Sequence, residues 1–222
     1  WNDIGTVGCT YRCPIIPYDD MYITQNTTLA PGFYNVIDNY QVTGLKGAIL
    51  MNTSNVFLDC NGSTINGTGI GIKIFNANNV IVKNCRITGY WEGIRLTNAN
   101  NSIITNNTIT SNLQGITYVD YPSHGNLITN NNVSNNLWQG IAIGGFSNFN
   151  NITNNVINGN SRFGVSLGGT NNTFVDSNTI CYNNLQDLNL TSYSVGNFGG
   201  NNTCYRPDGW NDTGTTGCTY CC

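Results

Sequence analysis

The sequence predicts an all-β protein, a single-stranded right-handed parallel β-helix (a solenoid) of about seven coils with small cysteine-containing terminal segments. Three observations carry this expectation. One short phrase recurs along the chain at a period in the low twenties. Apolar and polar residues alternate within it. The corners between phrases are filled by Asn and Gly, which leaves no stretch for a helix in each repeat.

The phrase is a small residue followed by alternating apolar positions, and it begins at Ala48, Gly71, Gly93, Gly115, Gly140, Gly164 and Asp187. The starts are separated by 23, 22, 22, 25, 24 and 23 residues, a spacing that marks a solenoid. Alternation means strand, with Ile49, Ile72, Ile94, Ile116, Ile141, Val165 and Leu188 on the inner face. About eight residues on, a second strand supplies the inner column Leu58, Val82, Ile104, Ile128, Ile152 and Val175. A third apolar column follows, made of Ile65, Ile87, Ile109, Val133, Ile157 and Ile180. Leucine-rich repeats share the period but need a Leu-rich signature at other spacings, so the β-helix is left. Between the second and third columns run Asn84, Asn106, Asn130 and Asn154, and beside them Asn107, Asn131, Asn155 and Asn178. Asn tolerates the left-handed backbone of a sharp corner, and its side-chain amides can ladder from coil to coil. These asparagines are expected to be scaffold.

The stretches Leu58-Asp59-Cys60-Asn61-Gly62-Ser63-Thr64-Ile65 and Val80-Ile81-Val82-Lys83-Asn84-Cys85-Arg86-Ile87 resemble the NosD-type, pectate-lyase-like right-handed β-helix repeats. Such repeats are common in archaeal and bacterial surface proteins and in β-helix families that bind or cleave sugars. The resemblance spans roughly residues 23–205. It implies the fold and leaves activity open, because this scaffold hosts many functions. Copper delivery, associated with the NosD name, finds no support in a chain with one His and two Met.

Polysaccharide hydrolases of this architecture need two carboxylates about 5–10 Å apart. Asp59 and Asp176 share a column, but five coils at β-sheet spacing put them roughly 24 Å apart. Asp19-Asp20 and Ser123-His124-Gly125 lie far apart in the chain, and no Arg-x-Lys accompanies them. A lyase needs a carboxylate cage for calcium beside a base, whereas Lys73, Arg95 and Glu92 make only a small charged face. Asp59 and Lys83, one coil apart, suit a surface ion pair. The expectation is therefore no catalytic residue, no cofactor and no metal. Tyr90, Trp91, Tyr121, Trp138, Phe146, Phe149 and Phe163 fall mostly in turns, where rings stack on sugars or pack against a neighbouring subunit.

Only 9% of residues are charged, against roughly 25% in ordinary soluble proteins. Polarity comes instead from 41 Asn together with Thr and Gly. A net charge of −3 offers no footprint for nucleic acid, and no apolar run is long enough for a membrane-spanning helix. Nine cysteines and twelve Asn-x-Ser/Thr sequons point to an extracellular or cell-surface address and to covalent glycans. Asn26, Asn52, Asn66, Asn100, Asn171, Asn189 and Asn211 are the glycosylation candidates.

Cys60 with Cys85, and Cys181 with Cys204, stand about one coil apart and are expected to bridge neighbouring coils, since adjacent strands lie about 4.8 Å apart. The other five cysteines sit in a duplicated phrase. Residues 1–13 read WNDIGTVGCTYRC and residues 210–222 read WNDTGTTGCTYCC, identical at ten of thirteen positions. Cys9 with Cys13 and Cys218 with Cys222 can pair locally, or a tail can pair with the head of the next subunit. Because nine is odd, Cys221 is the expected free or intermolecular thiol. The spacing also fits zinc, but no His stands near it.

This gives three regions: an N-terminal junction segment (1–22), the β-helix (23–205) with residues 14–46 forming its N-terminal cap, and a C-terminal junction segment (206–222). The expected function is an extracellular structural protein. Its glycosylated subunits would join head to tail into a filament or surface array, each subunit being the other's partner. The alternatives are a glycan-binding or adhesion module of a larger surface protein and, behind it, a polysaccharide lyase or hydrolase.

Overall fold

The computed structural model describes residues 14–38, 47–118, 121–191 and 193–222, and among them the chain forms only short strands, turns and bridges. The largest sheet stacks nine parallel strands: Met21–Tyr22, Ile49–Met51, Ile70–Phe75, Glu92–Thr97, Gln114–Tyr118, Ile141–Ile143, Phe163–Leu167, Gln186–Leu190 and Pro207–Asp208. Each neighbour in that order belongs to the next coil. A second face stacks seven strands from Thr27–Thr28 to Phe174–Asp176. A third runs from Phe33–Asn35 to Thr108–Ile109, passes through single bridges at Asn132 and Val156, and ends in Thr179–Ile180 and Thr203–Cys204. Three faces per coil make the β-helix that the period requires.

Register follows the apolar columns. Ile49 pairs with Ile72, Ile72 with Ile94, Ile94 with Ile116, and so on to Val165 and Leu188. All of these are essentially buried, as are the second column from Leu58 to Val175 and the third from Ile65 to Ile180. A one-residue slip would turn a whole column out to water, at about 1.5–3 kcal/mol per large side chain, so each coil fixes the register of the next.

The corner asparagines divide into two kinds. Asn84, Asn106, Asn130 and Asn154 have φ of 57°, 55°, 56° and 56°, the left-handed turn that Asn tolerates. Asn107, Asn131, Asn155 and Asn178 instead point inward and are almost wholly buried. In this ladder Asn131 Oδ1 accepts the backbone N–H of Asn107 (2.9 Å) and one hydrogen from its Nδ2 (3.0 Å). Asn131 Nδ2 in turn donates to the Ile104 carbonyl (2.8 Å) and to Asn155 Oδ1 (3.1 Å). The pattern repeats through Asn155, Asn178 and Asn202. A second buried ladder links Asn112, Asn136, Asn160 and Asn183. An amide suits this place because it both accepts and donates, so every buried backbone group it meets is satisfied.

Two expected boundaries shift. Met21–Tyr22 and Pro207–Asp208 are the end strands of the largest sheet, so parts of both expected junction segments belong to the rod. Met21–Tyr22, Thr27–Thr28 and Phe33–Asn35 add one strand to each of the three faces, so the expected cap contains a coil.

Candidate functional site

A β-helix end presents unpaired strand groups that invite association. Here the last coil is closed by the C-terminal phrase. Trp210 is 3% exposed and joins the hydrophobic core. Tyr220 bridges Thr203: its N–H donates to the Asn202 carbonyl, and its carbonyl accepts from Cys204 N–H, both at 3.0 Å. Arg206 donates to the carbonyls of Asn183 and Asn184.

The two ladders that run through Asn131 and Asn136 each end in an aspartate. Asp212 Oδ2 accepts the backbone N–H of Asn202 (2.9 Å), and Oδ1 accepts its Nδ2 (2.7 Å). The Trp210 indole donates to Oδ1 (2.8 Å), and Thr219 gives both its N–H (2.7 Å) and its hydroxyl (2.8 Å) to Oδ2. Asp187 plays the same part for the second ladder, accepting from Asn183 through Oδ1 and from the N–H groups of Tyr205 and Arg206 through Oδ2. At these two rungs the groups on the far side are donors, the N–H groups of Tyr205 and Arg206 at Asp187 and the Trp210 indole and Thr219 at Asp212, so the acceptor-only carboxylate replaces the amide. Burial opposes the charge of Asp212. The bonds from Trp210, Asn202 and Thr219 outweigh it and hold the carboxyl below the usual carboxylate range. The capping role of neither aspartate is marked by a spacing rule; the sequence signals are the place of Asp212 in the duplicated phrase and of Asp187 at the start of the last repeat, where the other repeats have Gly or Ala.

The disulfides correct one expectation. Cys60 is bonded to Cys85 across neighbouring coils, with Cα atoms 4.8 Å apart. Cys181, however, is bonded to Cys222, and Cys204 to Cys218, with Cα separations of 5.9 and 5.7 Å. The terminal phrase, folded against the last coil, brings Cys222 to Cys181 and Cys218 to Cys204 in place of a Cys181–Cys204 bond. Cys204 pairs with Ile180, so Cys181 and Cys204 are offset by one residue. Of the two alternatives for Cys218 and Cys222, a local pair or a bond to the next subunit, this chain shows neither: both cysteines staple the terminal phrase to the last coils. Cys221 is exposed and free. Cys9 and Cys13 lie outside the described residues.

Along the sides of the rod the charged groups are dispersed. Asp59 meets Lys83 at 3.2 Å and also accepts from Asn61 N–H and Asn84 Nδ2. Partial burial opposes its charge, but these bonds hold its carboxyl below the usual range. The register runs Asp59, Lys83, Thr105, Thr129, Thr153, Asp176, which keeps the two aspartates five strands apart. Glu92 accepts from the Thr117 hydroxyl (2.9 Å) and stands 3.5 Å from Arg95. Lys73 pairs in register with Arg95, but it is buried over the Phe75 ring rather than forming an open basic face. His124 occupies a column of amides: its Nδ1 accepts Asn148 N–H, and its own N–H donates to Asn100 Oδ1. Among the described residues no three His, Cys, Asp or Glu side chains gather where a metal would sit.

Of the turn aromatics, Tyr90 is buried, and its hydroxyl donates to the Val36 carbonyl (2.7 Å). Trp91, Tyr121, Phe146 and Phe149 are exposed. Phe149 has φ 59° in a column otherwise held by Asn79, Asn101, Gly125 and Asn172. Arg162 lies over both Trp138 (5.1 Å) and Phe163 (4.9 Å). Among the glycosylation candidates, Asn26, Asn52 and Asn211 are exposed, and Asn66, Asn100 and Asn171 are partly so. Asn189 is buried with its amide donated to Ser166 (3.1 Å), so the folded chain withholds it.

Solved structures similar to this chain share its fold at low identity. A periplasmic alginate epimerase, AlgG, superposes with a TM-score of 0.66 at 16% identity, over 82% of this chain and 51% of that one. DFA-IIIase from Arthrobacter chlorophenolicus A6 in complex with DFA-III gives 0.66 at 14% identity, over 89% and 58%. The Dettilon tailspike protein gives 0.56 at 18%, over 90% and 59%. The chain therefore spans about half the length of the epimerase. No curated protein matches it by sequence. Three disulfides agree with an extracellular or envelope location. The family model described as "Right handed beta helix region" matches residues 22–180, and the chain belongs to the right-handed β-helix family.

Proposed function

We propose that this chain is an extracellular structural subunit, a disulfide-locked rod that joins end to end into a filament or surface array. The observation that carries this reading is the recurrence, at residues 1–13, of the phrase that closes the last coil. The sides of the rod support it in a second way. Their amides are spent on ladders, and Asp59 and Asp176 stand five strands apart, beyond the range of paired-carboxylate chemistry. A contact between unlike ends does not close on itself, so it propagates into a fibre. Electron microscopy of the native protein is the test: fibres or strings of rods are expected, and single rods at every concentration would sink the reading. Covalent glycans are expected at exposed sequons such as Asn52 and not at Asn189, which peptide mapping by mass spectrometry distinguishes.

A second reading, a glycan-binding surface, draws on the exposed rings at Trp91 and at Trp138 with its stacked Arg162. Binding of an immobilised polysaccharide that is lost in Trp91→Ala or Trp138→Ala would favour it. Enzyme activity is a third reading, in keeping with a fold that hosts many chemistries. Sugar cleavage abolished by Asp59→Ala or Asp176→Ala would revive it.

A further inference from the structure

Of the ten positions shared by the two copies of the phrase, Trp210, Asp212, Cys218, Thr219, Tyr220 and Cys222 grip the rod in the C-terminal copy, and Asn211, Gly214, Thr215 and Gly217 shape the phrase's own turns. Trp210 fills the core end and donates to Asp212, which terminates the amide ladder. Asn211 Oδ1 accepts Gly217 N–H (2.7 Å), and the Thr215 hydroxyl reaches the carbonyls of Asp212 (3.3 Å) and Gly217 (3.0 Å). Gly214 and Gly217 take φ of 84° and 80°, where a side chain is strained. Thr219 gives two hydrogen bonds to Asp212, and Tyr220 bridges Thr203. Cys218 and Cys222 supply the staples.

The three positions that differ are Thr213, Thr216 and Cys221, matched by Ile4, Val7 and Arg12, and all three are exposed. Thr213 contacts the rod through its N–H and hydroxyl, both on the Gly199 carbonyl; an Ile there keeps the first and loses the second. The duplication thus preserves the core, ladder and disulfide contacts to the rod, and it varies three exposed positions of which only Thr213 touches the rod. Residues 1–13 lie outside the described residues, and only their sequence enters here.

We infer that the last coil is a receptor for this phrase, filled here by residues 210–222, and that residues 1–13 of a second copy are a ligand for it. Trp1, Asp3, Thr10, Cys9 and Cys13 take the places of Trp210, Asp212, Thr219, Cys218 and Cys222. The inference rests on the end-to-end reading above and names its joint. The covalent step balances as thiol–disulfide exchange. The Cys9 thiolate attacks Cys204 of the Cys204–Cys218 bond, forming Cys9–Cys204 and releasing the Cys218 thiolate. Cys13 does the same at Cys181–Cys222, so two disulfides are broken, two are formed and no oxidant is consumed. The tethered C-terminal phrase holds a high effective concentration at the receptor, so exchange is favoured once its staples are removed.

The test is the full chain carrying Cys218→Ser and Cys222→Ser, incubated with reduced and oxidised glutathione, the latter accepting the electrons of the new bonds. The expected products are covalent dimers and longer chains, with Cys9–Cys204 and Cys13–Cys181 peptides found by mass mapping. Adding Asp3→Asn should cut their yield about ten-fold, the scale of a lost charge-assisted hydrogen bond. Monomers only, cross-links indifferent to Asp3, or a Cys181–Cys204 bond within one chain would each overturn the inference. Should the double variant fail to fold, a labelled peptide of residues 1–13 is incubated with the chain carrying Cys218→Ser alone and glutathione. Attachment at Cys204 supports the receptor, and none refutes it. If wild-type protein shows only single rods while these cross-links form, the receptor stands and native end-to-end assembly fails.

Discussion

The middle of the rod and its C-terminal end solve the same problem with different chemistry. In the middle, each side chain of the two ladders through Asn131 and Asn136 must satisfy a coil on both sides, so the position is filled by Asn, as at Asn131, Asn155 and Asn178. At the end the groups beyond the ladder are donors, and Asp212 and Asp187 accept from both sides without donating. The middle is held by repetition and the end by singular contacts: an indole, a threonine and two disulfides. A repeat can be lengthened indefinitely, and what stops it is a residue that can no longer pass a hydrogen bond on.

The sharpest way to break this comparison is to swap the two residue types. Asn155→Asp would set carboxylate oxygens against the Ile128 carbonyl and Asn178 Oδ1, and Asn155→Ala would strand several buried groups. Each stranded group costs about 1–3 kcal/mol, so either change is expected to lose at least about 3 kcal/mol in denaturant unfolding. The reverse swap, Asp212→Asn, turns a donor toward groups that also donate. It is expected to cost about 1.5–3 kcal/mol, with faster hydrogen exchange at Asn202 and Thr219 while the middle coils stay protected. An equal loss at both sites, or a cooperative collapse of the whole rod in Asp212→Asn, would erase the distinction.

Acid sharpens the same contrast. The folded carboxyl of Asp212 lies below its ordinary value of 3.8, so its contribution is complete above the unfolded value. It fades as pH falls through the lowered folded value. The cap is therefore expected to loosen below about pH 4 while the uncharged amide ladders do not titrate. Asp212→Asn should flatten that dependence, and Asp59→Asn, at the lateral ion pair, should leave the cap's exchange rates unchanged. The smallest effect is expected at Tyr118, whose buried hydroxyl finds no hydrogen-bond partner among the described residues. Tyr118→Phe should be neutral or slightly stabilising in the same unfolding measurement.

The fold was legible because its determinants are periodic. The inner columns could be aligned from sequence, and the strands pair in that alignment. The left-handed corners were legible for the same reason, since Asn84, Asn106, Asn130 and Asn154 recur one coil apart. The end was not, because it happens once. Cys181 and Cys204 stand at the coil spacing and share a local frame, yet the ladder aligns Asn178 with Asn202 and Ile180 with Cys204, one residue out of that frame. The duplicated phrase was visible as a repeat. Its role as a cap depended on where Trp210 and Asp212 land in three dimensions, and no spacing rule supplies that.

The account turns on the terminal phrase being bound to the last coils rather than hanging free. Disulfide mapping of the monomeric chain, separated from any assembled form, digested without reduction and read by mass spectrometry, tests this most directly. The account predicts Cys181–Cys222 and Cys204–Cys218 peptides, with Cys221 alkylated as a free thiol. A Cys181–Cys204 peptide, with Cys218 bonded to Cys222, would contradict it.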